Sequence, residues 1–529
     1  MRVVFSVRNF WYLKFFDRVI DELVRRGHHV HVTAERERHW KEAMEQLARE
    51  HPSISFTTTP RVATTWLDLS VRLRRTIDFV RFLTPAFAAA PVLRLRAEAR
   101  APDFVRRCMR WPILRRPHVA YLLERGLTRI ESALPVAAAL RELLHAERPD
   151  VLVLSPLIAL GSTQFDLLQA AQSMGISTAL AVGSWDHLSS KTLIRSCPDR
   201  LFVWNEMQRE EAATFHRVPV DRVIVTGAQC FDQWFDRQPA MDRDSFCRLV
   251  NLPPTRHYVL YVCSALFEGS PSEAEFVARW ARRLRESTDP ALRDAPILIR
   301  PHPKRAYEFD SVSFDGVSDV SLWPPRGEVP LTDTAKDVYF DSLFHSAAVV
   351  GLNTSAMIEA AIIGRSVHTI LLPEFHDNQG GTLHFRHLLE AGGGLLKTSH
   401  SLDEHHAQLR TVLAAPPPSS LNDAFVQAFV RPHGLQRAAT PIFVDALEQL
   451  AVRHRAPYVP PLWARVVRLG LWPLAVMMRE TADTEQIWRT GRMGAHRDRK
   501  RAHQRRRKQV LRWRTAFGSW YRNLFGRAS

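Results

Sequence analysis

Within its first 35 residues the chain passes through an apolar strand, a helical stretch, a glycine and a second strand, and the same grammar returns in two separate halves. Val3 to Val7 is a continuous apolar run. A helix is expected from about Tyr12 to Arg26, Gly27 closes it, and HHVHVTA opens the next strand. Strands that are apolar on both faces and separated by helices signal a parallel sheet covered on both sides. PDVLVLSP (149–156), a helix from Gly161 to Met174, ISTALAVGSW after Gly175, LFVWN (201–205) and RVIVTGA (222–228) continue the first half. The second half consists of YVLYVCSA (258–265), a helix around Ser272 to Glu286, PILIRPHP (296–303) and AAVVGLN (347–353). A helix from Thr354 to Ile363, Gly364 and VHTILLP (367–373) complete it. The expected fold is α/β: two Rossmann-like doubly wound domains facing a cleft, with a basic helical insert and a basic C-terminal tail. Ligands of such sheets bind beyond the carboxyl ends of the strands.

A chain of 529 residues exceeds one ordinary core. The expected division is an N-terminal domain over 1–236 with an insert at about 66–140, a linker over 237–256, a second domain over 257–455 and an extension over 456–529. The linker is read from the polar, proline-containing stretch Arg237 to Thr255. The formal charge of +17 is local. Ser70 to Arg116 holds 12 arginines against Asp78, Glu98 and Asp103, a net of +9; Gly491 to Arg514 holds 11 Lys/Arg against Asp498, a net of +10. The two stretches sum to +19, so the rest of the chain carries about −2. Five scattered cysteines without C-x-x-C spacing argue against a disulfide framework and a zinc site. Arg8, Lys14 and Asp17 interrupt any secretory h-region, so a cytoplasmic location is expected.

Four stretches carry candidate chemistry. In Gly351 to Glu359 an apolar strand ends in hydroxyl residues and a helix begins at once. Asn353, Thr354 or Ser355 can cap that helix, its free N–H groups favour a phosphate, and Glu359 one turn on suits ribose hydroxyls; an ordinary N-cap with a surface glutamate is the alternative. His302, between Pro301 and Pro303 at a strand end, is stiffly presented to donate to a diphosphate, or packs its loop. The Gly-Gly loop from Glu374 to Phe385 offers Asn378, Gln379, Thr382 and His384 to a polyhydroxylated ligand, or is a mobile loop. After strand TALAV, Asp186 and His187 are candidate general bases toward an acceptor hydroxyl; equally, Asp186 caps the next helix and Trp185 packs. Asp242-Arg243-Asp244 matches a metal-binding D-x-D but falls in the expected linker and is discounted. Walker A, G-x-G-x-x-G, H-E-x-x-H and G-x-S-x-G patterns are all missing, against a P-loop kinase, a plain dehydrogenase, a zincin and an α/β-hydrolase.

Taken in order, the segments 203–234, IRPHPKR and 341–367 resemble the GT-B superfamily. The arrangement is similar to CDP-glycerol glycerophosphotransferases, capsule polysaccharide transferases and UDP-N-acetylglucosamine 2-epimerases, over about residues 1–60 and 140–450. The resemblance implies a nucleotide donor on the C-terminal domain and an acceptor on the N-terminal one. It matches His302 to a donor-side His-Pro, Asn353, Thr354 and Ser355 to the phosphate-binding turn, Glu359 to a ribose-binding glutamate, and Asp341 to an acidic residue of less defined role. It implies no metal, because a helix dipole and side chains stabilise the departing diphosphate. The turn reads Asn-Thr-Ser-Ala, not the epimerase Ser-Gly-Gly, which counts against epimerisation. The expected function is therefore glycosyl or glycerophosphate transfer from a nucleotide-sugar or CDP-glycerol-like donor to a glycan or lipid-linked acceptor. The alternatives are a sugar-nucleotide epimerase or hydrolase and a non-catalytic membrane scaffold.

In the appendages, apolar patches lie between arginines in FVRFLTPAFAAAPVLRLRA, and Leu462 to Met478 is apolar but broken by Arg465, Arg468 and Pro473. Neither is long enough to span a bilayer. An anionic membrane surface is the partner they suggest, against a solvated insert and a disordered tail. Nucleic-acid binding is the other reading of the tail, and the chain shows no recognisable nucleic-acid fold.

Overall fold

The computed structural model describes residues 1–35, 49, 52–60, 64–158, 164–330, 332–415, 418–453 and 455–478, leaving the Trp11 side chain aside. The chain divides into two compact units. Unit 1 comprises Met1–Cys230 and Ala439–Ser529, and unit 2 comprises Phe231–Ala438.

Unit 1 holds a seven-stranded, wholly parallel sheet of β1 (Arg2–Val7), β2 (His29–Ala34), β3 (Ile54–Thr58), β4 (Val151–Ser155), β5 (Ser177–Ala181), β6 (Arg200–Val203) and β7 (Val223–Val225). Their spatial order is β3-β2-β1-β4-β5-β6-β7. Val3 pairs with Val30 on one side and Val151 on the other, which sets the register at the centre. Every residue of β4 and β5 is buried, as expected for strands covered on both faces. Gly27 ends the first helix at φ +79°, a left-handed geometry that L side chains rarely adopt.

Unit 2 repeats the plan with six parallel strands: β8 (Val259–Val262), β9 (Ile297–Arg300), β10 (Val320–Leu322), β11 (Ala348–Gly351), β12 (Ser366–Ile370) and β13 (Lys397–Ser399), ordered β10-β9-β8-β11-β12-β13. Both sheets are thus doubly wound in the Rossmann manner. Strand order reverses between β1 and β4 in one and between β8 and β11 in the other.

The boundaries depart from the sequence reading in two places. The stretch expected to be a linker, 237–256, contains the helix Arg243–Leu249, whose Phe246 and Cys247 are fully buried in unit 2. Asp242 is the N-cap of that helix, accepting from the Ser245 N–H at 2.8 Å, so the D-x-D match is a capping motif. Asp341, buried on the helix Asp333–Phe344, accepts the Ala240 and Met241 N–H groups at 3.0 Å each and fastens this segment to unit 2. The second correction concerns the helix Ala439–Ala451, which belongs to unit 1. Arg26 reaches Asp445 at 2.6 Å and Glu448 at 2.9 Å, and Phe443 packs against Phe16 and Phe202. An apolar helix face declares that it must be buried, but not against which sheet.

The insert forms the helices Leu67–Arg81, Pro91–Arg100, Asp103–Cys108 and Pro117–Ser132. Its arginines are not all solvated. Arg74 bridges Glu131 and Asp166 at 2.6 Å each, and Arg195 bridges Asp78 and Glu131. These buried pairs tie the insert to the body of unit 1. Helix Leu462–Met477 packs on the insert through Ala475, Leu471 and Leu474 against Trp66, Leu69 and Leu134. The basic tail, 491–514, lies outside the described residues, as do 161–163 at the start of the expected helix Gly161–Met174, of which Gln164–Ser173 is described.

Candidate functional site

The candidate donor site lies at the reversal point of sheet 2, beyond the paired carboxyl ends of β8 and β11. Gly351 ends β11, and a Cβ there would meet the Val262 carbonyl oxygen at 2.8 Å, so only glycine lets the two strand ends approach this closely. The chain then turns through Asn353, Thr354 and Ser355 into the helix Ala356–Ile362. Ser355 occupies the N-cap position, half-buried Thr354 stands before it, and the Ser355 side chain makes no capping bond. Of the expected side-chain caps, Thr354 supplies a weak one: its hydroxyl accepts the Ala356 N–H at 3.5 Å, at the long end of the hydrogen-bond range. A helix start not closed by a strong side-chain cap is suited to an anion.

A network holds this turn in place. The Asn353 N–H donates to the Ser264 hydroxyl oxygen at 3.0 Å, and the Ser264 N–H donates to the Glu273 carboxyl at 2.7 Å. Glu273 is only 2% exposed, and the Tyr261 hydroxyl donates to its other oxygen at 3.3 Å. Burial pushes the Glu273 carboxyl up to about 8, with the Ser264 and Tyr261 donors opposing the rise. At neutral pH it is therefore a largely protonated acid inside the wall of the site. On the other side, the Asn353 amide donates to the Asn378 carbonyl and lies 3.3 Å from the His384 Nε2. Asn378 in turn accepts from the Phe267 N–H at 2.9 Å, joining the loop after β8 to the loop after β12.

Glu359, one turn into the helix, accepts a short hydrogen bond from the Tyr339 hydroxyl. The buried Arg300 guanidinium lies 4.9 Å from the Tyr339 ring centre, a cation–π contact. Its Nη1 has no hydrogen-bond partner among the described residues. Burial lowers the Arg300 pKa, while the Tyr339 and Glu359 groups oppose that shift. Burial and the Glu359 charge together hold Tyr339 protonated well beyond the usual phenol range. His302 follows β9 two residues later, half-buried, with its Nδ1 accepting the Lys304 N–H at 3.2 Å. The turn around it is braced from outside: a Cβ on Gly327 would meet the Pro301 carbonyl oxygen at 2.5 Å.

Sheet 2 therefore gathers His302, Asn353, Thr354, Ser355, Glu359 and His384 at strand ends or on the loops and helix that follow them. Gln379 is corrected to a structural role. It is almost fully buried, and its Nε2 lies 3.0–3.3 Å from the Leu352 and Ile370 carbonyls and the Thr369 hydroxyl. Thr382 is spent within its loop, donating to the Gln379 carbonyl at 2.8 Å. Asp341 lies in the clamp on 240–241 described above. Sequence reasoning missed Ser264, Glu273, Arg300 and Tyr339 as site residues. Only Arg300 stood in a motif that had drawn notice.

In unit 1, Asp186 and His187 follow β5 at the carboxyl end of sheet 1. The Asp186 carboxylate accepts from the Ser184 hydroxyl at 2.7 Å and the Ser190 hydroxyl at 2.9 Å, and pairs with the Lys191 ammonium at 2.7 Å. Its side chain makes no capping bond to the helix His187–Ser190. His187 is buried, its ring 6.3 Å from that of Tyr12, and burial drives its pKa down to about 4. Asp186, by contrast, is partly exposed. Among the described residues no group of three or more His, Cys, Asp or Glu is arranged to hold a metal ion.

No family model and no curated protein matches this chain. Among solved structures it is similar to the UDP-GlcNAc 2-epimerase from Neisseria meningitidis bound to UDP-GlcNAc, with 13% identity and a TM-score of 0.48 over 85% of this chain and 100% of that one. It is also similar to a glycosyltransferase from Rickettsia africae, with 8% identity and a TM-score of 0.49 over 85% of this chain and 99% of that one. A third is the UDP-GlcNAc 2-epimerase from Methanocaldococcus jannaschii in complex with UDP-GlcNAc and UDP, with 13% identity and a TM-score of 0.43 over 85% and 99%. The fold assignment stands on the two sheets themselves.

Proposed function

We propose that the chain is a GT-B-type enzyme that binds a nucleotide-activated donor on unit 2 and transfers a glycosyl or glycerophosphate group to a glycan or lipid-linked acceptor. The observation that carries this reading is the convergence at the β8–β11 reversal point of an anion-suited helix start, the Asn353–Ser355 turn and the Tyr339-bonded Glu359. In this reading the helix N–H groups and the Thr354 and Ser355 hydroxyls receive the diphosphate. His302 donates to it as the bond to the leaving group breaks, and Glu359 accepts from ribose hydroxyls. Charge on the departing nucleotide phosphate, a diphosphate in transfer from a nucleoside-diphosphate sugar and CMP in glycerophosphate transfer, is met by fixed dipoles and side chains, with no metal required. Asp186 is proposed as the base that takes the acceptor's proton, with Lys191 holding its carboxylate in place.

Isothermal titration with UDP-, CDP-, GDP- and CMP-linked donors tests the first step, and absence of binding to every one of them ends the proposal. Glu359→Ala and His302→Ala are expected to weaken donor binding and turnover; unchanged function in both favours a scaffold. Epimerisation of the same donor is the second reading, because residues that hold the nucleotide serve either reaction. Incubation with donor alone separates the two, since an epimerase converts its donor without an acceptor and a transferase needs one.

A further inference from the structure

Helix Leu462–Met477 has an apolar surface on both sides, and unit 1 uses one of them. Ala464 and Ala475 are buried, and Leu471 and Leu474 pack on the insert. The opposite side leaves Leu462 75%, Val466 68% and Leu469 77% exposed, with Trp472, Val476 and Met477 continuing the line. These positions recur three or four residues apart and so form one stripe along about 24 Å of helix. Water-facing helix positions in a soluble protein are ordinarily polar, and a contiguous apolar stripe of this length marks a contact surface. Residues 452–478 contain four arginines and neither Asp nor Glu; Arg455 pairs with Asp199 and Arg468 donates to the Ala133 carbonyl, while Arg465 is exposed beside the stripe. The chain that follows carries the net +10 of residues 491–514. The insert repeats the chemistry, with Phe104, Trp111 and Ile113 exposed among Arg106, Arg107, Arg110, Arg115 and Arg116. No helix among the described residues is long and apolar enough to cross a membrane.

We propose that this stripe docks unit 1 onto an anionic lipid bilayer, with helix Leu462–Met477 lying in the plane of the interface. Leu462, Val466 and Leu469 enter the boundary between headgroups and acyl chains, and exposed Arg465 beside them faces lipid phosphates, while Trp472 rests on Trp66 of the insert. Apolar area flanked by an excess of positive charge selects this occupant: in the insert, Asp103 and Glu98 pair with Arg106 and Arg115, and Arg107, Arg110 and Arg116 add to the positive side. A second copy docked stripe to stripe would set arginine against arginine, with no Asp or Glu in residues 452–478 to offset them.

The test is co-sedimentation of the full chain with vesicles of phosphatidylcholine alone and of phosphatidylcholine mixed with phosphatidylglycerol. Binding is expected to the mixed vesicles only and to weaken as salt rises. Val466→Ser/Leu469→Ser, at two exposed positions, is expected to bind about tenfold more weakly with an unchanged thermal melt. Arg465→Gln is expected to lose binding by about two- to tenfold, according to how near the charge sits to the lipid surface. Failure of the wild-type chain to bind mixed vesicles overturns the proposal. So does full retention of binding by the double-serine variant with loss only on removal of residues 492–529, which would place the attraction in the tail alone. A wild-type dimer in sedimentation velocity that the double-serine variant splits also overturns it, since the stripe would then be covered by a second copy.

Discussion

Replacing Glu273 by Gln isolates the cost of keeping a carboxyl group in the wall of the candidate donor site. Burial raises its pKa from an ordinary value near 4.5 to about 8. Between those two values the unfolded chain has released the proton and the folded unit still holds it. Stability from this group is therefore fully present below pH 4.5 and is lost progressively as pH rises to 8. At about 1.4 kcal/mol per pH unit, the loss reaches on the order of 5 kcal/mol. Gln has the shape of the protonated acid: its carbonyl accepts the Ser264 N–H and its amide faces the Tyr261 hydroxyl, with no proton to lose. Glu273→Gln is thus expected to match the wild type near pH 5. At pH 8 to 9 its unit 2 transition in a calorimetric scan should melt higher by on the order of 10 °C. Donor binding should survive, because the Ser264 hydroxyl still receives the Asn353 N–H. Glu273→Ala instead orphans the Ser264 N–H and should lose both stability and binding. Parallel pH dependences of wild type and Glu273→Gln from pH 5 to 9 would refute the assignment of a buried, protonated acid.

Asp341→Ala leaves the Ala240 and Met241 N–H groups unsatisfied and should cost about 2–4 kcal/mol, read as a lower urea midpoint for the unit 2 transition. Gly351→Ala drives a methyl group into the Val262 carbonyl; a cost of about 1–3 kcal/mol and weaker donor titration are expected, and a variant as tight and stable as the wild type counts against the close approach. Asp186→Asn should reduce acceptor-dependent turnover about 100-fold or more while donor affinity holds, and equal loss of both would place Asp186 outside the transfer step. Burial lowers the pKa of His187 and His368 to about 4 from an ordinary 6.5, so the unfolded chain binds the extra protons as pH falls through that window. The unit 1 transition should lose melting temperature from pH 6.5 down to 4; in unit 2 the Glu273 carboxyl gains over most of the same window and offsets the His368 loss, so there the fall should emerge in the Glu273→Gln background.

Strand–helix alternation was legible because the central strands are apolar on both faces. The strands that the periodicity did not reveal, β3, β10 and β13, all lie at sheet edges. ISFTT, VSL and KTS are short and partly polar because one side of each meets no further strand, which removes the signal that marks the centre. The donor-side residues were readable where chemistry coincides with a strand-to-helix turn, as at Asn353 and Glu359. Glu273 and Tyr339 carry no such punctuation. One looks like any acidic residue in a first helical turn and the other like any aromatic inside a helix; burial and a hydrogen-bond partner distinguish them, and both are tertiary properties. Gln379 shows the converse: a polar side chain in a glycine-rich loop reads as a ligand contact until its amide is found holding three pieces of main chain.

The return of the chain to unit 1 at Ala439 sets an order on how the protein can be made. Unit 2 is one uninterrupted run, Phe231–Ala438, whereas unit 1 receives the helix Ala439–Ala451 only after that whole run has been synthesised. On the ribosome, residues 1–230 must therefore wait with the Phe16–Phe202 surface uncovered while unit 2, all of whose parts are already present, completes itself. A nascent chain halted before residue 439 would carry a finished unit 2 and an unfinished unit 1, and chaperone dependence of this protein should concentrate on its first half.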